Sequence, residues 1–149
     1  MLLAWALLLP SLAVAASLQP LTAADVPALL KAPAQGERII ALWALDCAYC
    51  EPNLDALDKL QRAHPHAIEL IIVATDSIGR REAIEARLHH MGMDAYPARA
   101  YAEASPERIN FLLDPQWGGE TPRVLVIRAD GSRLGISGAL TPTELQKLL

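Results

Sequence analysis

A nearly continuous apolar run, ERIIALWAL at residues 37 to 45, leads directly into the two cysteines of the chain, Cys47 and Cys50, and then into a stretch with a different period. The run is rich in Ile, Leu and Trp and lacks polar alternation, so it predicts a strand buried on both faces. Beyond Cys50, the apolar residues Leu54, Leu57, Leu60 and Ala63 recur at helical spacing, with Asp55, Asp58, Lys59 and Arg62 between them. That pattern predicts an amphipathic helix starting at or just after Cys47 and ending near Pro65. AIELIIVATD, residues 67 to 76, predicts a second buried strand, and GRREAIEARLHHMG, residues 79 to 92, a second amphipathic helix closed by Gly92. Short strands alternating with helices in this order point to an α/β domain with helices covering a sheet.

The remainder extends this frame. LTAADVPALLKAP predicts a short helix with Thr22 as N-cap and Asp25 in its first turn. SPERINFLLDP predicts another, with Ser105 as cap and Pro106 in the first turn. TPRVLVIRADGSRLGISGAL reads as two strands joined by a turn at Asp130-Gly131. TPTELQKLL closes the chain with a capping box formed by Thr141 and Glu144. The expected order is β-α-β-α, a connecting segment, a β-hairpin and a final helix.

A length of 149 residues with 52% hydrophobic content suits one domain, spanning residues 17 to 149. The net charge of -4 argues against a nucleic-acid partner or an anionic membrane surface. Residues 1 to 16 differ in kind: an apolar run from Leu2 to Val14, broken by Pro10, ends in the small residues Ala13, Ala15 and Ala16. This is the outline of a secretory signal peptide, with an uncleaved anchor as the other outcome, although no Lys or Arg precedes the run. Export would place the domain in an oxidising compartment where disulfides persist.

Within that domain the cysteine pair carries the chemistry. A cysteine in the first turn of a helix meets unpaired N–H groups and the positive end of the helix dipole, both of which favour a thiolate. Cys47 is expected there, with Cys50 one turn further along the same face to resolve a mixed disulfide. A structural disulfide closing so short a loop would remove little entropy from the unfolded chain. A structural zinc site needs about four ligands. Copper handling by the two thiols remains open, since soft sulfur suits Cu(I). His64, His66 and the HHMGM stretch at residues 89 to 93 sit at expected helix ends, where the dipole and core packing account for them. Asp46 and Glu51 flank the pair with negative charge, which opposes thiolate formation and favours a less oxidising couple.

LWALDCAYC resembles the active-site segment of thioredoxin-fold proteins, in which a Trp four residues before the first Cys ends the central strand; Trp43 matches it. Downstream, GGETPRVLVI at residues 118 to 127 resembles the family's cis-proline segment, with Pro122 in the proline's place and Thr121 before it. The subgroup most similar is the TlpA-like exported thiol-disulfide oxidoreductases. Their pattern includes a connecting insertion, matched here by residues 93 to 117.

The resemblance implies a thioredoxin-like α/β fold, a central mixed sheet flanked by helices with a C-terminal β-hairpin and helix. It implies Cys47 and Cys50 as catalytic residues and Thr121 and Pro122 as the edge that receives a client peptide. Tyr49 and Trp43 are candidates for an apolar platform beside it, and Trp117 for the same surface. No cofactor and no metal are implied. The expected partners are a disulfide-containing client protein and an external thiol electron donor, with a membrane reductase as a candidate, acting on a monomer in the periplasm. A copper-binding chaperone or assembly protein using the same thiols, or a binding module of this fold, are the competing functions. The chain departs from the family pattern where relatives place proton acceptors: Ala41 lies six residues before the first Cys and Asn53 three after the second, while Asp55 stands at a common proline position.

Overall fold

The computed structural model describes residues 17–149, so the signal-peptide expectation for residues 1 to 16 lies outside the described residues. A mixed sheet of six strands is built from β1 (Gln19–Leu21), β2 (Glu37–Trp43), β3 (Ile68–Ser77), β4 (Ala98–Tyr101), β5 (Arg123–Arg128) and β6 (Arg133–Ser137). The spatial order is β1-β4-β3-β2-β5-β6; the first four strands pair in parallel, and β5 is antiparallel to both of its neighbours, β2 and β6. The helices are α1 (Val26–Leu29), α2 (Cys50–Ala63), α3 (Arg81–His90), α4 (Pro106–Leu113) and α5 (Pro142–Gln146).

Two hydrophobic layers explain the unbroken apolar runs. Ile39, Ala41 and Trp43 of β2, with Ile72 and Ala74 of β3, pack in one layer with Leu54 and Leu57 of α2 and Ile84 and Leu88 of α3. Ile40 and Leu42, with Ile71 and Val73, pack in the other with Val26 and Leu29 of α1 and Ile109 and Leu113 of α4. A strand covered on both faces has no solvent side on which polar residues could alternate. Each fully buried Leu or Ile here contributes about 1.5–3 kcal/mol relative to exposure.

Four local expectations are corrected. β1 and β4 are strands that the sequence reading omits; residues 93 to 117, the expected connecting insertion, hold β4 besides the expected helix, which is α4. Both strands are short, and their extended form comes from pairing with neighbours: Ala98 to Ala100 lie opposite Ile72 to Ala74, and Gln19 to Leu21 opposite Arg99 to Tyr101. The first expected helix is a 3₁₀ turn over Ala23–Asp25 followed by the single turn of α1. β2 stops at Trp43, and α2 begins at Cys50 rather than near Cys47. The hairpin turn places Gly131 at φ 85°, a left-handed conformation that suits glycine.

Candidate active site around Cys47 and Cys50

β2 is central in the sheet, and its C-terminal end delivers the chain into the cysteine turn. The Leu45 N–H donates to Asp76 Oδ2 at 2.8 Å, and the Thr75 hydroxyl donates to the Trp43 carbonyl at 3.3 Å, so the end of β3 holds the start of the turn. The turn then tightens on itself: Cys47 N–H donates to the Ala44 carbonyl at 3.2 Å and Cys50 N–H to the Cys47 carbonyl at 3.4 Å. Tyr49 is the N-cap of α2. Cys47 and Cys50 form a disulfide, with their Cα atoms 5.5 Å apart. Cys47 therefore precedes the first helical turn, and Cys50 is its first residue. Cys47 is half-buried while Cys50 is only 2% exposed, so the pair has an outer and an inner sulfur.

The second half of the site comes from β5. Leu42 lies opposite Arg123 in the antiparallel register, so Pro122, one residue earlier, falls beside the end of β2 where the cysteine turn departs. The Thr121-Pro122 peptide bond is cis. The Pro122 carbonyl accepts from Gly138 N–H at 2.9 Å, whereas the Thr121 backbone N–H and carbonyl have no hydrogen bond among the described residues. The approach to Thr121 is tied down on its other side. Trp117 Nε1 donates to the Glu120 carbonyl at 2.8 Å, the Ser137 hydroxyl donates to Glu120 Oε1 at 2.5 Å, and Arg123 bridges Ser137 and Asp114. The hydrogen bond donated by the Ser137 hydroxyl holds the Glu120 carboxyl below its ordinary value.

No family model matches this sequence, and no curated protein does. Solved structures do match the fold. A secreted disulfide oxidoreductase of Mycobacterium tuberculosis, homologous to E. coli DsbE, superposes with a TM-score of 0.59 at 18% identity, over 77% of this chain and 81% of that one. A thioredoxin-related protein of Neisseria meningitidis serogroup B gives 0.59 at 24% identity, over 79% and 83%. StoA of Bacillus subtilis gives 0.54 at 14% identity, over 78% and 84%. The chain has a thioredoxin fold.

Within that thioredoxin fold the remaining expected site residues separate into surface and core. Tyr49 is 66% exposed beside Cys50, and Asp46 and Glu51 are exposed on either side of the pair. Trp43 is 2% exposed and packed in the layer under α2, so it presents no platform to a client; a side chain pointing inward from the last residue of β2 has only the core to fill. Trp117 is likewise core, in the layer under α4, and acts on the site only by bracing the Glu120 carbonyl.

The expected acceptor positions are filled by groups that do not titrate. Ala41 is buried in the core. Asn53 is 4% exposed; its Nδ2 donates to the Gly138 carbonyl and its Oδ1 accepts from Leu140 N–H, each at 2.9 Å. The next buried acid on α2, Asp58, is engaged by Arg62 and by the Tyr96 hydroxyl at 2.6 Å. Burial, reinforced by Asp58, pushes Tyr96 up to about 12. Asp55 forms an exposed ion pair with Lys59 at 2.6 Å. His64 and His66 are exposed, and His89 faces Asp94 at 3.1 Å. Among the described residues no group of three or more His, Cys, Asp or Glu is arranged to hold a metal ion. Asp76, Gly138 and Leu140 shape the site without any sequence signal; their roles depend on partners 31, 85 and 87 residues away.

Proposed function

We propose that this chain is an exported thiol-disulfide oxidoreductase that reduces or exchanges disulfides in client proteins through Cys47 and Cys50. The observation that carries the reading is the disulfide itself, just beyond the end of the central strand, with a half-buried Cys47 and a buried Cys50, and with Thr121 at the adjoining end of β5 making no backbone hydrogen bond among the described residues. In the reduced protein the Cys47 thiolate attacks one sulfur of a client disulfide, forming a mixed disulfide and releasing the other client sulfur as a thiolate. The client segment extends along the Thr121-Pro122 edge, using the free N–H and carbonyl of Thr121 as strand-like partners, while Tyr49 offers exposed aromatic surface. Cys50, shielded from solvent, passes its proton to the released client thiolate and attacks Cys47 Sγ. The Cys47-Cys50 disulfide reforms, and the second client sulfur leaves as a thiolate that takes its proton from water. Two electrons have passed to the client, so an external thiol donor must return two to the protein.

Export is supported by the character of residues 1 to 16 and by the secreted M. tuberculosis protein of similar fold. Among the described residues no helix is long and apolar enough to cross a membrane.

The test combines a potential with a trap. A Cys47-Cys50 reduction potential near that of thioredoxin, about -270 mV, supports the reductive direction, and one near about -120 mV overturns it. Cys50→Ser should accumulate a one-to-one mixed disulfide with a client through Cys47, and Cys47→Ser should abolish exchange. Unchanged turnover in Cys47→Ser would refute the proposal outright.

A further inference from the structure

Asn53 does more than occupy a core position. It lies one turn beyond Cys50 on α2 and is one of the two buried polar residues among those described. Both ends of its amide are engaged by the loop between β6 and α5: Nδ2 donates to the Gly138 carbonyl and Oδ1 accepts from Leu140 N–H, at 2.9 Å each. Gly138 in turn donates its own N–H to the Pro122 carbonyl at 2.9 Å. A continuous chain of hydrogen bonds therefore runs from the helix that carries Cys50, through one glycine, to the carbonyl next to Thr121. Gly138 sits at φ 87°, a left-handed conformation in which it bonds Asn53 through its carbonyl and Pro122 through its N–H.

We propose that Asn53 is a positioning residue that sets the Thr121-Pro122 edge in register with the cysteine helix, and that it acts on exchange with extended protein segments rather than with small disulfides. The proposal rests on the oxidoreductase reading above. The physical reason for the selectivity is geometric. A protein client must meet Cys47 and the Thr121 backbone together, so a shift between α2 and β5 misaligns one contact when the other is made. A small disulfide needs to meet only the Cys47 sulfur. A neutral amide suits this task in the core, because it donates and accepts at once and brings no charge next to the buried Cys50.

The experiment compares two substrates in the full chain: insulin, reduced with dithiothreitol as the donor, and oxidised glutathione, exchanged directly with the reduced protein. Asn53→Leu keeps the volume and removes both hydrogen bonds. It should slow insulin reduction on the order of tenfold, the equivalent of about two ordinary hydrogen bonds, while glutathione exchange changes less than about threefold. Should Asn53→Leu lack a cooperative unfolding transition, Asn53→Ser is read in the same way. Its hydroxyl is uncharged and one bond shorter than the amide, so it gives up the reach to Gly138 and Leu140, and the same selective loss is expected. Equal loss with both substrates, or no loss with either, in the folded variant overturns the positioning role while leaving the oxidoreductase intact. A wild-type protein that exchanges with neither substrate overturns both readings.

Discussion

Asp76 at the end of β3 accepts the backbone N–H of Leu45 at 2.8 Å, which pins the first residues of the cysteine turn to a neighbouring strand rather than to the helix that follows. The same carboxylate receives Arg80 at 2.6 Å. The turn is thus held from outside at its entry and by its own hydrogen bonds further on. Asp76→Ala leaves the Leu45 N–H without its partner and should lower stability by about 1–3 kcal/mol, read as a reduced urea midpoint with an unchanged slope. An unshifted midpoint would show that water replaces the carboxylate at no cost.

The two aromatic residues nearest the cysteines should separate cleanly by substitution. Trp43 is buried under α2, so Trp43→Ala opens a cavity and should cost about 3–5 kcal/mol. Tyr49 is 66% exposed, so Tyr49→Ala should change stability by less than about 0.5 kcal/mol. On the proposed function it should slow exchange with a protein client roughly fivefold, the effect of truncating an interface aromatic worth about 1 kcal/mol. Urea titrations and insulin reduction measure the two quantities separately.

Two glycines with positive φ should respond very differently to alanine. At Gly36, φ 66°, an added Cβ would lie 2.1 Å from the Ala67 carbonyl oxygen, a backbone atom held by the Glu37 N–H. Gly36→Ala should therefore cost about 3 kcal/mol or more, since a strand end must move. At Gly131, φ 85°, an added Cβ meets nothing within 4 Å. Gly131→Ala should cost only the left-handed penalty, about 1 kcal/mol. Thermal or urea unfolding of the two variants side by side gives the comparison.

Acid should loosen the loop that precedes Thr121. The Ser137 hydroxyl holds the Glu120 carboxyl below its ordinary value of 4.5. A depressed folded-state value means that the stabilisation is complete above the ordinary value and is lost as pH falls through the lower, folded one. Urea midpoints measured from about pH 6 down to about pH 2 should therefore fall more steeply in the wild type than in Ser137→Ala, where that hydrogen bond is gone. Parallel curves would show that Glu120 contributes nothing to the acid limb.

Much of the architecture was legible because it is encoded in consecutive residues. The apolar run of β2, the helical spacing of Leu54, Leu57 and Leu60, the Asp130-Gly131 turn and the Thr141-Glu144 capping box are each properties of a short window, and each appears in the structure. β1 and β4 were not legible, because three and four residues carry too little pattern and become strands only where β3 and each other offer hydrogen bonds.

The cysteine pair divides along the same line. Local sequence sufficed to place Cys47 and Cys50 between a buried strand and an amphipathic helix, since burial and periodicity are read from neighbours in the chain. Which sulfur faces outward, what fills the places of Ala41 and Asn53, and how the Thr121 edge meets the cysteine turn are settled by residues brought together from 31 to 87 positions apart. Hydrogen bonds between such residues exist only once the sheet has set its register and the helices have covered it, so no window of sequence contains them.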